Sequence, residues 1–223
     1  MQNDNVKLKI QSKYMKRARI IAFLLSIVPF TRMVALDGSL ARGEATEKSD
    51  IDFFIVLKTG RIWTGRILVT ALVHLTGLRR AGQKIAGRIC LNRYQTEDFL
   101  LIRPKNKKNA LDYRHFRVFW GSAKLRARFF DLNSWIPKKG YTFTNKNRKL
   151  TFWEKVLLII SWPFQRFFEI IYDVLFGEPG EKYLRNFQIK RILKDPRTQQ
   201  SSNEQILISD YELRFHPPKV SRD

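Results

Sequence analysis

Residues 32–57, TRMVALDGSLARGEATEKSDIDFFIV, hold the side chains from which chemistry can be built. An apolar run, Met33–Leu36, ends at Gly38-Ser39. A short polar, helix-like segment follows, and Asp50 and Asp52 then stand at the head of a second apolar run, Ile51–Leu57. Alternate side chains of a β-strand share a face, so Asp50 and Asp52 point one way while Ile51 and Phe53 point into a core. Paired carboxylates raise each other's proton affinity unless a cation lies between them. Hard divalent ions such as Mg²⁺ or Mn²⁺ take oxygen ligands of this kind, usually together with substrate phosphates. The Gly38-Ser39 pair, leading from strand to helix, offers free backbone N–H groups and a hydroxyl on which a phosphate can rest.

In these residues the chain resembles the DNA polymerase beta-like nucleotidyltransferase superfamily. Its signature is Gly followed by Gly or Ser, a spacer, and Asp-x-Asp/Glu between apolar flanks. The segments GRICLNRYQTEDFLLI and PRTQQSSNEQILISDYELRFHPP look like parts of uncharacterised bacterial proteins grouped only as predicted nucleotidyltransferases. The resemblance implies a metal-dependent enzyme that moves an NMP group from an NTP, ATP among them, to an acceptor hydroxyl. Asp50 and Asp52 are then the catalytic metal ligands, and Gly38 and Ser39 bind the nucleotide. Arg42, one helical turn beyond Ser39, serves as a bidentate phosphate clamp, unless Glu44 simply pairs with it. A third carboxylate is expected on a later strand. Asn92 stands in that position; its carbonyl can ligate a hard cation but brings no charge, and Glu97 or Asp98 can serve if the strand is longer.

The elements that must place these residues are legible from periodicity and breakers. The pattern predicts a helix over 6–28, a strand over 32–37, a short helix over 39–45, a strand over 50–57, a helix over 62–78 and strands over 85–95 and 98–102. Beyond Pro104 it predicts helices over 109–120 and 123–131, a basic loop over 137–147, and a long helix over 151–176 broken or kinked near Pro163. A helix over 179–194, a polar loop over 196–204 and a short strand pair (206–208, 211–215) or extended tail complete it. The fold class is therefore α+β: a small mixed sheet with flanking helices, then a C-terminal helical region. The chain divides into an α/β domain, 1–104, and a mainly helical region, 105–223, with no flexible linker between them.

Charge narrows the partners. Of the formal +22, a net +17 lies in residues 61–150, against +4 before and +1 after. Such a field attracts polyanions: nucleotide phosphates, RNA or an anionic membrane surface. The lone cysteine, Cys90, excludes an internal disulfide and suits a reducing cytoplasm; within an apolar strand it reads as a small core residue. Lys13–Arg19 followed by Ile20–Phe30 mimics a secretory signal, but Ile10, Tyr14, Ile21, Leu24, Leu25 and Val28 recur as one face of an amphipathic helix. The 151–176 segment is too interrupted to span a bilayer; such a helix is buried, lies in an oligomer interface or rests on a membrane surface, with burial as its expected state. Three functions follow: a nucleotidyltransferase acting on a small-molecule, protein or RNA hydroxyl, with RNA slightly favoured, a catalytically weakened nucleotide- or RNA-binding module, and a basic membrane-surface protein in peripheral contact with lipid.

Overall fold

The computed structural model describes residues 2–137, 151–195, 198 and 206–215. Its centre is β2 (Ile51–Leu57), whose sequence IDFFIVL is apolar at nearly every position because both of its faces are covered. Antiparallel to β2 lies β1 (Thr31–Leu36), and parallel to it on the other side lies β3 (Ile89–Thr96). The six-stranded sheet has the order β4-β1-β2-β3-β6-β5, with β4 (Arg117–Gly121), β5 (Ile206–Ile208) and β6 (Glu212–Phe215) all pairing antiparallel.

One face carries Val34, Leu36, Ile51, Phe53 and Ile55, packed under α1 (Gln2–Ser26), α3 (Ile62–Leu75) and Ile192 of α7 (Gly177–Lys194). Tyr14, Ile21 and Leu25 of α1, with Val28 in the turn after it, go down into this core at the helical spacing noted above. The other face carries Met33, Ala35, Phe54 and Val56 against Tyr113 of α4 (Lys107–Tyr113) and Phe129 of α5 (Ala123–Leu132). Phe54 sits edge-on to Tyr113, Phe116 and Phe129 at centroid distances of 6.4, 5.2 and 5.7 Å.

Three expectations are corrected. The helix over 109–120 ends at Tyr113, and Arg117–Gly121 is the edge strand β4, since β-branched and aromatic residues fill a half-buried pleat better than another helical turn. Residues 98–102 are not a strand. Leu100 and Ile102 are buried, but the Asn133 side chain takes the place of a neighbouring strand, donating to the Leu100 carbonyl and accepting from the Ile102 N–H, both at 2.8 Å. The long helix α6 (Phe152–Leu175) runs through Pro163 and is not buried. It turns its polar stripe, Gln165, Glu169 and Asp173, against the sheet domain and leaves Trp162, Phe164, Phe167, Ile170 and Val174 exposed. The strand pair near the C-terminus forms as expected, and with β4 it shows strands from beyond residue 104 completing the same sheet. The basic loop at 137–147, past its first residue, and all but Thr198 of the polar loop at 196–204 lie outside the described residues.

Candidate functional site

The turn after β1 opens the site. Gly38 begins α2 (Gly38–Arg42) with φ +69°, a left-handed backbone that glycine adopts without strain. A Cβ there would collide with Asp52 Oδ2 and stand 3.1 Å from Asp52 Cγ. The glycine of the signature is thus the residue that lets the turn close over the second aspartate. Ser39 follows within α2, its carbonyl accepting from the Glu44 N–H at 2.9 Å.

Asp50 and Asp52 lie together at the head of β2. The register pairs Asp52 with Cys90 on β3, so the carboxylate oxygens of Asp50 and Asp52 and the Cys90 sulfur all come within 4.8 Å of one another. A register shift on β3 then adds one residue, Asn92, whose amide donates to Asp52 Oδ1 at 2.7 Å and whose carbonyl accepts from the Cys90 thiol at 2.7 Å. The shift moves Arg93 to the Phe54 face and Tyr94 to the opposite one, the reverse of a strict alternation. Asn92 is therefore brought to Asp52. Glu97 and Asp98 are not: they follow the far end of β3, where Glu97 lies 3.7 Å from Arg32 and Asp98 is bonded by Thr96 and Thr59.

Three neighbours were not read from the pattern. Arg80 donates from Nη1 to Asp50 Oδ2 at 2.6 Å and reaches Cys90 Sγ at 3.5 Å. Cys90 is buried, as a core residue would be, but it faces this charged cluster and has a basic partner in Arg80. Asp37 stands across from Asp52, its N–H donating to the Asp52 carbonyl at 3.1 Å. Parity carried that signal: Met33 and Ala35 of β1 share a face with Phe54 and Val56 of β2, and Asp37, just past β1, continues the alternation opposite Asp52. Arg42, for its part, is held by Glu44 at 2.7 Å and lies 3.8 Å from Asp112, so its guanidinium is engaged on the α2 side.

The electrostatics follow from burial and crowding of like charges. Burial, then the charges of Asp50 and Asp37, push the Asp52 carboxyl well above the usual range against the pull of Arg80 and Arg42. Burial likewise raises Asp37 to about 7, with Arg93 opposing. The Cys90 thiol is pushed up by burial and by both aspartates and stays protonated. Arg93 is fully buried, bonded to the Tyr113 hydroxyl at 2.7 Å and in ion contact with Glu212 at 2.7 Å, without hydrogen-bond alignment to the latter. Asp37 Oδ1 is buried with no hydrogen-bond partner among the described residues.

An acidic pair this crowded asks for a cation. The donor set fits a hard divalent ion through the oxygens of Asp50 and Asp52, with the Asn92 carbonyl adjacent; the protonated thiol is not a ligand for such an ion. Residues 17–116, from within α1 to the residue before β4, match the family model described as a nucleotidyltransferase domain, consistent with the polymerase beta-like superfamily. No curated protein and no solved structure matches the chain.

Proposed function

We propose, from the premise that residues 17–116 are a nucleotidyltransferase domain, that this chain transfers an NMP group from an NTP to an acceptor hydroxyl, with RNA favoured as acceptor. Proteins with this domain take a nucleoside triphosphate and generally a divalent ion. The observation that carries the reading is the closure of the Gly38 turn onto Asp52, beside Asp50, with Arg80 bonded to Asp50 and the Asn92 amide to Asp52.

In this reading Asp50 and Asp52 hold Mg²⁺ or Mn²⁺. When bound, the ion neutralises charge developing on the triphosphate as the acceptor oxygen bonds to the α-phosphorus and pyrophosphate leaves. Gly38 and Ser39 receive the terminal phosphates on backbone N–H groups and the serine hydroxyl. Asn92 orients Asp52 through its amide. Arg80, bonded to Asp50 at 2.6 Å, places a positive charge beside the pair. Arg42 can reach phosphate only by leaving Glu44. A polyanionic acceptor is supported by the cationic 61–150 stretch, and a cytoplasmic setting by the single thiol.

The test is label transfer from [α-³²P]NTP with Mg²⁺ or Mn²⁺, with and without total RNA. Wild type transfers label, and Asp50→Ala or Asp52→Ala lowers transfer by roughly two orders of magnitude or more, as for loss of a group that stabilises transition-state charge. Equal transfer by the aspartate variants overturns the assignment. The uncharged Asn92 beside Asp52 favours a second reading, a nucleotide-binding module without turnover. It predicts NTP binding that is abolished by the same substitutions and no labelled product.

A further inference from the structure

The polar residues of α6 face inward and its apolar residues face outward, the reverse of a helix that packs a soluble core. Gln165 donates to the carbonyls of Ser26 and Val28 at 2.7 and 3.3 Å. Glu169 accepts from the Phe30 N–H at 2.6 Å and from both Arg32 terminal nitrogens at 2.9 and 2.8 Å. Asp173 binds Lys58 at 2.7 Å and Arg61 at 2.6 Å. These residues recur every fourth position, so a single stripe clamps α6 to the sheet domain. The remaining circumference is open: Ile159, Trp162, Phe164, Phe167, Ile170 and Val174 are 62–78 % exposed. At roughly 100 Å² for each of these six side chains, the apolar face is on the order of 600 Å², at the upper end of the 300–600 Å² of the largest patch on an ordinary monomer.

Charge says what covers it. From 156 to 176 both acidic side chains of α6 are turned inward and bonded to Arg32, Lys58 and Arg61; Arg166, half exposed, donates to Glu169 at 3.1 Å and also lies 6.0 Å over the outward Trp162 ring, so no acidic group stands on the outward face among these residues. In the sequence, residues 138–150, which lead into α6, contain five Lys or Arg and no Asp or Glu. A second copy of a +22 chain would be repelled by such a face, whereas an anionic surface is attracted to it. No described helix is long and apolar enough to cross a membrane. We infer that α6 lies in the interfacial plane of an anionic lipid bilayer, its Trp, Phe and Ile side chains among the acyl chains and Arg166 at headgroup level. Its contacts, at Phe30, Arg32, Lys58 and Arg61, mark the end of β1 and β2 opposite Asp52, about 20 Å along the strand. The candidate site then faces water while the helix rests on lipid.

The full chain is floated with vesicles of pure phosphatidylcholine and with vesicles containing phosphatidylglycerol at about one third. Binding to the anionic vesicles at least ten-fold above the neutral ones, with brominated acyl chains quenching fluorescence that the Trp162→Leu variant lacks, is the expected result. Phe164→Asp/Phe167→Asp lowers vesicle binding at least ten-fold and leaves label transfer in solution unchanged. No vesicle binding overturns the inference, as does equal binding to both compositions. A wild-type dimer in light scattering that the double substitution splits, without vesicle binding, assigns the face to a second copy instead. The vesicle readout is independent of nucleotidyl transfer, so either reading can fail alone.

Discussion

Gly38 and Asn92 set opposite limits on the chemistry near Asp52. At Gly38 the left-handed backbone and the contact with Asp52 exclude any larger residue. Gly38→Ala costs about 1–2 kcal/mol from the backbone alone, which for a chain of this size lowers Tm by roughly 2–8 °C; because the added carbon displaces the Asp52 carboxylate, label transfer falls with it. A thermal scan paired with the transfer assay checks both, and unchanged transfer would show that the turn does not hold the aspartate in its working position. Asn92 gives Asp52 a hydrogen-bond donor where the superfamily pattern expects a third acid. Asn92→Asp replaces that donor with a negative charge, so Mn²⁺ binds roughly ten-fold tighter or more, about 1.4 kcal/mol, read by calorimetry or by Mn²⁺ electron paramagnetic resonance. An unaltered Mn²⁺ affinity would mean that position 92 does not face the ion.

At the scale of elements, α6 is attached by a row of polar contacts, and Glu169 is the centre of that row. Burial works against ionisation of Glu169, yet the hydrogen bonds from Arg32 and the Phe30 N–H, with the charges of Arg32 and Arg166, outweigh it and hold its carboxyl below the ordinary 4.5. As pH falls, the unfolded chain, with the higher pKa, takes the proton first. The contribution of Glu169 is thus complete above pH 4.5 and is lost as pH drops through its native value. Glu169→Gln removes roughly 1.5–3 kcal/mol at neutral pH, as for a hydrogen bond to a charged group, and flattens the acid limb of the stability curve. Urea unfolding of wild type and variant between pH 3 and pH 7 measures both. A parallel offset at every pH would assign the effect to shape, not charge.

For the whole molecule, much of the basic charge and the main exposed apolar face belong to different elements among the described residues. The cations of residues 61–150 include Arg80 at the site, Lys107 and Lys108 on α4 and Lys124 and Arg128 on α5, while the exposed apolar face belongs to α6. Sequence-independent binding of an RNA homopolymer is the expected outcome, with affinity falling steeply between 50 and 200 mM salt. Lys107→Glu/Lys108→Glu weakens that binding and makes the salt dependence shallower without moving Tm, as exposed positions at a helix start allow. A salt-insensitive affinity in filter binding would assign RNA contact to stacking and not to these cations.

The local order of residues determined most of the site and the framework around it. Gly38, Ser39, Asp50 and Asp52 are close in sequence, strand alternation puts the two aspartates on one side, and the apolar periods of α1, β1, β2 and α3 are each satisfied within one element. Tertiary structure decided what depends on pairing between distant strands. The extra residue on β3 delivers Asn92 to Asp52 and Arg93 to the Phe54 face, and antiparallel register sets Asp37 opposite Asp52. A loop fold-back brings Arg80 to Asp50, 30 residues away. The outward turn of α6 was left open by the sequence, because a hydrophobic pattern states which side chains are apolar but not whether this chain's own core, another protein or lipid receives them. Periodicity is a property of one element, whereas register, burial and the neutralisation of charge are properties of two or more.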